Sequence, residues 1–460
     1  MTAEILTAPE PILRPPPTAP GLPLLGNAIP FMTASGLPID FMNEAAARYG
    51  GIVHFKVGKQ SFYLVSEPDL VQEILVKRVN EFHKNIVGND KPKMLRRFLG
   101  EGILTADHEA WRPQRKLIQP LMHTKHITSY ADTMAHFGQK LVDLWGKSAE
   151  RDIHADMMQV TMWIIAETMF GMDVTQTPTL ANAAHDAQTI AVADLKSPLP
   201  EFLTHGRDRQ AVEINKVLTD LVYHFIEERR THGNEGRSDL LSLLMETRDE
   251  DGNPVSDDYV RNNILTLFFA GHETTANTLT WTFRYLNENP DVVAKLQQEA
   301  DGVLGGRLPT LADLPNLPYT LMVIKETMRI EPTVSAFPRF IGEATHVGDY
   351  QLEANSVIFI SPYVLHHDPR WWTDPNTFDP NHFSAENEPN IPKYAYLPFG
   401  GGPRVCIGNH FSMMEAQILL AVIISRYNLR LASDKPVEPL RLITSSPEGG
   451  LPMHVTRRSA

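Results

Sequence analysis

From about Glu67 onward the apolar positions recur at three- and four-residue intervals, the spacing that lines one face of a helix. The earlier chain reads differently. Residues 1–37 are rich in proline and predict extended loop. Ile52–Ser66 alternates in two short runs about Gly58 and predicts two strands. Arg209–Arg230 predicts an amphipathic helix. The longest periodic stretch starts at Ser256, a suitable N-cap, has Asp257 and Asp258 in its first turn, and runs to Asn289 before Pro290. A mean helix is about 11–12 residues, so this one is long enough to cross a domain. Pro318–Pro332 predicts a shorter helix between prolines, Val347–Pro362 short strands, Ile407–Ile424 a helix, and the remainder hairpins. The pattern is mainly α, with a smaller β-rich portion. No linker or internal repeat divides residues 38–460.

Composition narrows the function. The 460 residues are 42% hydrophobic and 21% charged, which suits a globular core, and the net charge is −13 without a long basic run. Nucleic-acid binding is excluded on that ground, since it needs a basic footprint. A single cysteine excludes an intrachain disulfide and suits a reducing cytoplasm. No apolar stretch reaches the ~18–20 residues of a membrane span, and the N-terminus lacks a signal-peptide pattern.

Two places resist a purely structural reading. The first lies inside the longest helix. Ala270–Thr275, AGHETT, puts a glycine where it costs about 1 kcal/mol relative to alanine. Leu267, Ala270, Gly271, Thr274 and Thr278 share one face. Small residues there admit either a second helix or a flat, wide ligand. Glu273 beside Thr274 pairs a carboxylate with a hydroxyl in an apolar run, a set able to carry protons. The zinc pattern His-Glu-x-x-His fails because Ala276 stands four after His272.

The second is FGGGPRVCIG, Phe399–Gly408, which holds the only cysteine. Glycine amides, Arg404 and the start of a helix near Cys406 all favour a thiolate. One sulfur does not satisfy zinc. It does suit a macrocycle that needs a single axial residue, namely haem.

At this point the chain resembles the cytochromes P-450, the haem-thiolate monooxygenases. Phe399, Gly402, Arg404, Cys406 and Gly408 match that family's Phe-x-x-Gly-x-Arg-x-Cys-x-Gly pattern. AGHETT is similar to its distal-helix signature, Glu326 and Arg329 to its Glu-x-x-Arg pair, and Trp111 and Arg115 to its Trp-x-x-x-Arg. The resemblance spans about residues 20–455. It implies a single haem domain over 38–460, with a long helix crossing over haem b and a smaller β-rich portion. It implies that Cys406 is the iron ligand, that Phe399 packs on the thiolate side, and that Trp111, Arg115, Arg339 and Arg404 meet the haem propionates. Thr274 and Glu273 are then the catalytic pair handling dioxygen and protons. Glu326 and Arg329 are structural, and His382 stands where the family often has an arginine.

The resemblance also implies a hydrophobic substrate lying near Leu104, Ala270, Ser335, Ala336 and Phe337. Similarity to soluble bacterial fatty-acid hydroxylases leads us to expect a carboxylate anchor at Lys59 and Tyr63. A terpenoid, steroid or macrocyclic natural product is the alternative. Electrons are expected from a separate ferredoxin or flavodoxin with its reductase, docking by Arg112, Lys116 and Lys393. A peroxide-driven or non-oxygenating enzyme, and a non-enzymatic haem sensor or electron carrier, are the competing classes. The presence of the Glu273–Thr274 pair counts against the peroxide-driven class.

Overall fold

The computed structural model describes residues 13–84, 95–171, 205–234, 236–237 and 239–458, together with 182–183, 186–187 and 189–191. Residues 1–12 of the proline-rich segment lie outside the described residues.

The largest apolar core joins the helices Ala131–Asp143, Ile153–Phe170, Asp257–Glu288, Pro318–Ile330 and Asn409–Ile424. Local chemistry sets their ends. Asp152 caps the Ile153–Phe170 helix by accepting from the His154 and Ala155 amides, and Gly171 closes it in the left-handed conformation at φ 59°. Ser256 Oγ accepts from the Tyr259 amide at 3.1 Å, so the long helix begins where its cap predicts and ends at Glu288. Asn409–Ile424 is apolar on nearly every side and is buried from Met414 to Ile424. The expected Arg209–Arg230 helix is longer, His205–His232.

The β-rich portion is a five-stranded sheet ordered Ile52–Val57, Gln60–Val65, Ser356–Ile360, Phe337–Ile341, Phe82–His83. Only the contact between Gln60–Val65 and Ser356–Ile360 is parallel. Near the C-terminus, Pro439–Arg441 and Ser445–Pro447 form a hairpin. It is fastened to the long helix by Trp281 Nε1 donating to the Ser445 carbonyl at 3.2 Å.

One boundary differs from expectation in a way that matters. The helix after the cysteine starts at Asn409, not Ile407. The Cys406 amide donates to the Phe399 carbonyl at 2.9 Å, which folds the loop back on itself. Helical geometry is therefore postponed until Gly408 has passed. Among the described residues no helix is long and apolar enough to cross a membrane.

Candidate functional site

The long helix is buried along Asn263–Phe269 and again along Thr275–Phe283. Between them Ala270 is exposed, and Gly271, Glu273 and Thr274 keep accessible surface. A recess therefore meets the middle of a core helix. The small residues divide their work. A Cβ at Gly271 would lie 2.5 Å from Ile165 Cδ1, so that glycine admits the neighbouring Ile153–Phe170 helix. Ala270 and Thr274 instead face the recess. Thr274 Oγ1 donates to the Ala270 carbonyl at 2.7 Å, and the Glu273 carboxylate accepts from Thr444 Oγ1 at 2.6 Å. His272 is buried on the other face, with Nδ1 3.2 Å from the Phe268 carbonyl. Burial pushes its pKa down to about 4, which suits a neutral packing histidine.

The cysteine loop approaches from the opposite direction. Gly402 sits at φ 67°, and a Cβ there would be 2.1 Å from the Leu75 carbonyl oxygen, so only glycine fits. Gly408 has no such constraint, its nearest neighbour being Met122 Cε at 3.9 Å. Phe399 is half-buried and packs against the main core. Arg115 Nη1 donates to the Val405 carbonyl at 2.8 Å, which brings a cation beside Cys406. The thiol retains accessible surface while deeply surrounded by protein atoms, as at the wall of an internal recess. Burial pushes its pKa up, and the Gly408 amide and Arg115 only partly oppose this. The thiolate expected from sequence alone thus needs a further electrophile to stabilise it.

A cluster of cations lies nearby. Arg404 donates to the Ala106 carbonyl at 2.8 Å and pairs with Asp107 at 3.1 Å. Its guanidinium carbon is 4.5 Å from the centre of the buried Trp111 ring. Arg339 is buried; burial first, then repulsion from Arg404, pushes its pKa down to about 10 against the pull of Asp107. Lys84, which the sequence reading did not single out, has its pKa pushed down to about 7 by burial and by Arg339 and Arg404. Lys84, Arg339 and Arg404 thus share Asp107 as their charged partner among the described residues. That excess of positive charge suits a ligand bearing two carboxylates.

The Glu326–Arg329 pair is a different kind of site. Both side chains are fully buried. Arg329 donates to Glu326 twice, at 2.8 and 2.7 Å, and to the carbonyls of His366, Pro375 and Thr377. All five of its donors are used. His382 Nδ1 lies 3.2 Å from both Glu326 oxygens, and its Nε2 lies 2.9 Å from the Thr373 carbonyl. Acceptors at both ring nitrogens call for the imidazolium. Burial opposes that form, but Glu326 outweighs it and the pKa is raised.

The expected substrate residues do not all converge. Leu104 and Ala270 carry accessible surface, and Phe337 is half-buried. Ala336 is instead packed into the core with Phe55, Leu64 and Val364. Ser335 is buried, its carbonyl bound by Ser361, and its own hydroxyl has no partner among the described residues. The Lys59–Tyr63 anchor is not assembled. Lys59 is exposed in the turn between the first two strands, whereas Tyr63 is buried and its hydroxyl accepts from the Glu353 amide at 3.0 Å. Of the basic surface residues, Lys116 pairs with Glu250 at 2.8 Å and Arg112 donates to Asn80. Lys393 is exposed beside Tyr394.

Glu415 also escaped the sequence reading. It is fully buried and neither oxygen has a hydrogen bond of good geometry. Burial pushes its pKa up to about 8, with the Thr275 hydroxyl opposing. Only its place in a largely apolar helix could have drawn attention to it.

Comparisons with known proteins agree on one family. The family description "Cytochrome P450" matches residues 15–451. Cyclooctatin synthase of Streptomyces melanosporofaciens is 34% identical over 439 residues, 91% of this chain and 91% of that protein. Cyclooctat-9-en-7-ol 5-monooxygenase of the same organism is 33% identical over 420 residues, 90% of this chain and 89% of that protein. A crystal structure of the haem domain of cytochrome P450DA superposes with a TM-score of 0.88 at 25% identity, covering 97% of this chain and 98% of that one. The chain belongs to the cytochrome P450 family and is a monooxygenase of that family.

Proposed function

We propose that the protein inserts an oxygen atom of O2 into a cyclic, terpenoid-type alkene or alcohol, using a haem held by Cys406. The family implies the haem, and the residues present fit it. Sγ of Cys406 would hold the iron, with Arg115 and the Gly408 amide offsetting the thiolate charge. Lys84, Arg339 and Arg404 would take the two carboxylates, with Trp111 packed against Arg404. When bound, the group supplies dioxygen chemistry, and a thiolate ligand favours O–O cleavage. The chain's own contribution is positioning and proton handling. Ala270 leaves room beside the long helix, Thr274 holds a proton at Oγ1, and Glu273 supplies protons through its carboxylate. Buried Leu267 and Phe268 on the adjoining turn keep bulk water from the helix.

The observation that carries the substrate class is that Lys59 is exposed in the strand turn whereas Tyr63 is buried in the sheet core, so the two do not form one anchor for a fatty-acid carboxylate. The named relatives support the same direction, since cyclooctat-9-en-7-ol is an alkene and an alcohol without a carboxylate. This replaces the fatty-acid reading. Electrons would come from a separate ferredoxin or flavodoxin, for which the exposed Arg112 and Lys393 are candidate contacts.

The test is a titration of the purified ferric protein, following the haem spin state. Cyclic terpene alcohols should drive it to high spin, and long-chain fatty acids should not. A high-spin response to fatty acids that weakens in Lys59→Ala would overturn the assignment.

A further inference from the structure

We infer that Thr444 is a positioning residue that sets the Glu273 carboxylate, so that the C-terminal hairpin forms part of the proton-delivery apparatus. The inference rests on the proposed roles of Glu273 and Thr274.

Thr444 stands at the turn of the hairpin, and the strands on both sides of it are anchored. Before it, Arg441 grips the buried Glu331 with two bonds, at 3.0 and 2.6 Å. After it, Ser445 Oγ donates to the same carboxylate at 2.7 Å, and the Ser445 amide donates to the Thr333 carbonyl at 2.7 Å. The Ser445 carbonyl accepts from Trp281 of the long helix. Across the turn the Leu442 amide donates to the Thr444 carbonyl at 3.0 Å. The Thr444 hydroxyl is therefore delivered to Glu273 by a fixed frame.

The frame closes on the other member of the pair. Thr333 Oγ1 lies 3.0 Å from Thr278 Oγ1, and Thr278 Oγ1 donates to the Thr274 carbonyl at 3.0 Å. Glu273 is thus linked through Thr444 and its chain neighbour Ser445 to Thr333, and from there through Thr278 to the Thr274 carbonyl. In this arrangement the acid and the alcohol each have a partner of their own. Glu273 accepts from Thr444, and Thr274 donates to the Ala270 carbonyl. A hydrogen bond to a charged group is stronger than a neutral one, so removing the hydroxyl changes both where the carboxylate rests and how readily it holds its proton. No proton passes through Thr444 in this account.

The experiment compares wild type with Thr444→Val, which keeps the shape, and Thr444→Ser, which keeps the hydroxyl, all as haem-loaded protein. The first readout needs no turnover. The infrared carboxylate band of Glu273, isolated by subtracting the spectrum of Glu273→Gln from that of the ferric protein, should shift in Thr444→Val and return in Thr444→Ser. The second is the ratio of hydrogen peroxide released to product formed. It should rise about tenfold in Thr444→Val, the factor expected for losing one bond to a carboxylate, and recover in Thr444→Ser. An unshifted band together with an unchanged ratio in Thr444→Val overturns the inference. So does a loss that Thr444→Ser fails to rescue. If Glu273→Gln itself leaves the ratio unchanged, the proton role of Glu273 is wrong, and the inference falls with that reading.

Discussion

The two buried polar constellations of this protein differ in how completely they balance themselves. Around Arg329 every donor has an acceptor, Glu326 accepts from Arg329, His382 and the Asp379 amide, and solvent is excluded. Around Trp111, three basic groups share Asp107, and one of them, Lys84, has its pKa driven down to about 7 by burial and then by the two arginines. The first network has nothing left to bind with and serves the fold. The second is electrostatically incomplete and is the one that can hold a doubly anionic ligand. Balance, more than burial, separates a structural network from a site.

The largest expected effect falls on the balanced network. Arg329→Ala takes from buried Glu326 its fully buried partner and removes the donor to the His366, Pro375 and Thr377 carbonyls; breaking such a buried pair typically costs about 3–5 kcal/mol. Denaturant unfolding should show that loss, and a variant as stable as wild type would mean that Arg329 does not hold the fold.

Glu415 gives the next effect. A carboxyl with a raised pKa binds its proton more tightly folded than unfolded. Stability should fall as pH rises from the ordinary carboxylate range through about 8, by on the order of a few kcal/mol. Glu415→Gln should flatten that decline. A slope equal to wild type would show that the carboxyl is not buried as a neutral acid.

His382 gives the smallest effect. Its pKa is raised, so its contribution is fully present below its unfolded value of 6.5 and is lost as pH climbs through the higher folded value. Haem retention in wild type should weaken from mildly acidic to alkaline pH, while His382→Arg should hold it constant. Equal retention in both proteins at every pH would remove the histidine's role.

Much of this was legible in the sequence, for local reasons. The long helix announced itself because Ser256 caps it and Pro290 ends it. The loop at Cys406 was legible through its residue spacing and the family it resembles. What depends on distant contacts was not. Lys84 gains its meaning from Arg339 and Arg404, hundreds of residues away in the chain, and Thr444 from Glu273. Tyr63 looked available on its strand, but the fold buries it in the sheet core, where its hydroxyl accepts from the Glu353 amide. Ala336 was expected in a loop lining the substrate pocket, and it packs in the core with Phe55, Leu64 and Val364. The start of the last helix was missed by two residues because a backbone bond from Cys406 to Phe399 overrides the apolar periodicity.

The most direct test measures global unfolding and the rate of haem transfer to a haem-free acceptor globin in Arg404→Ala and Arg329→Ala side by side. The account predicts that the two properties separate. Arg404→Ala should lose haem roughly tenfold faster with far less loss of stability than Arg329→Ala. Equal destabilisation of both variants, with haem loss merely following unfolding, would contradict it.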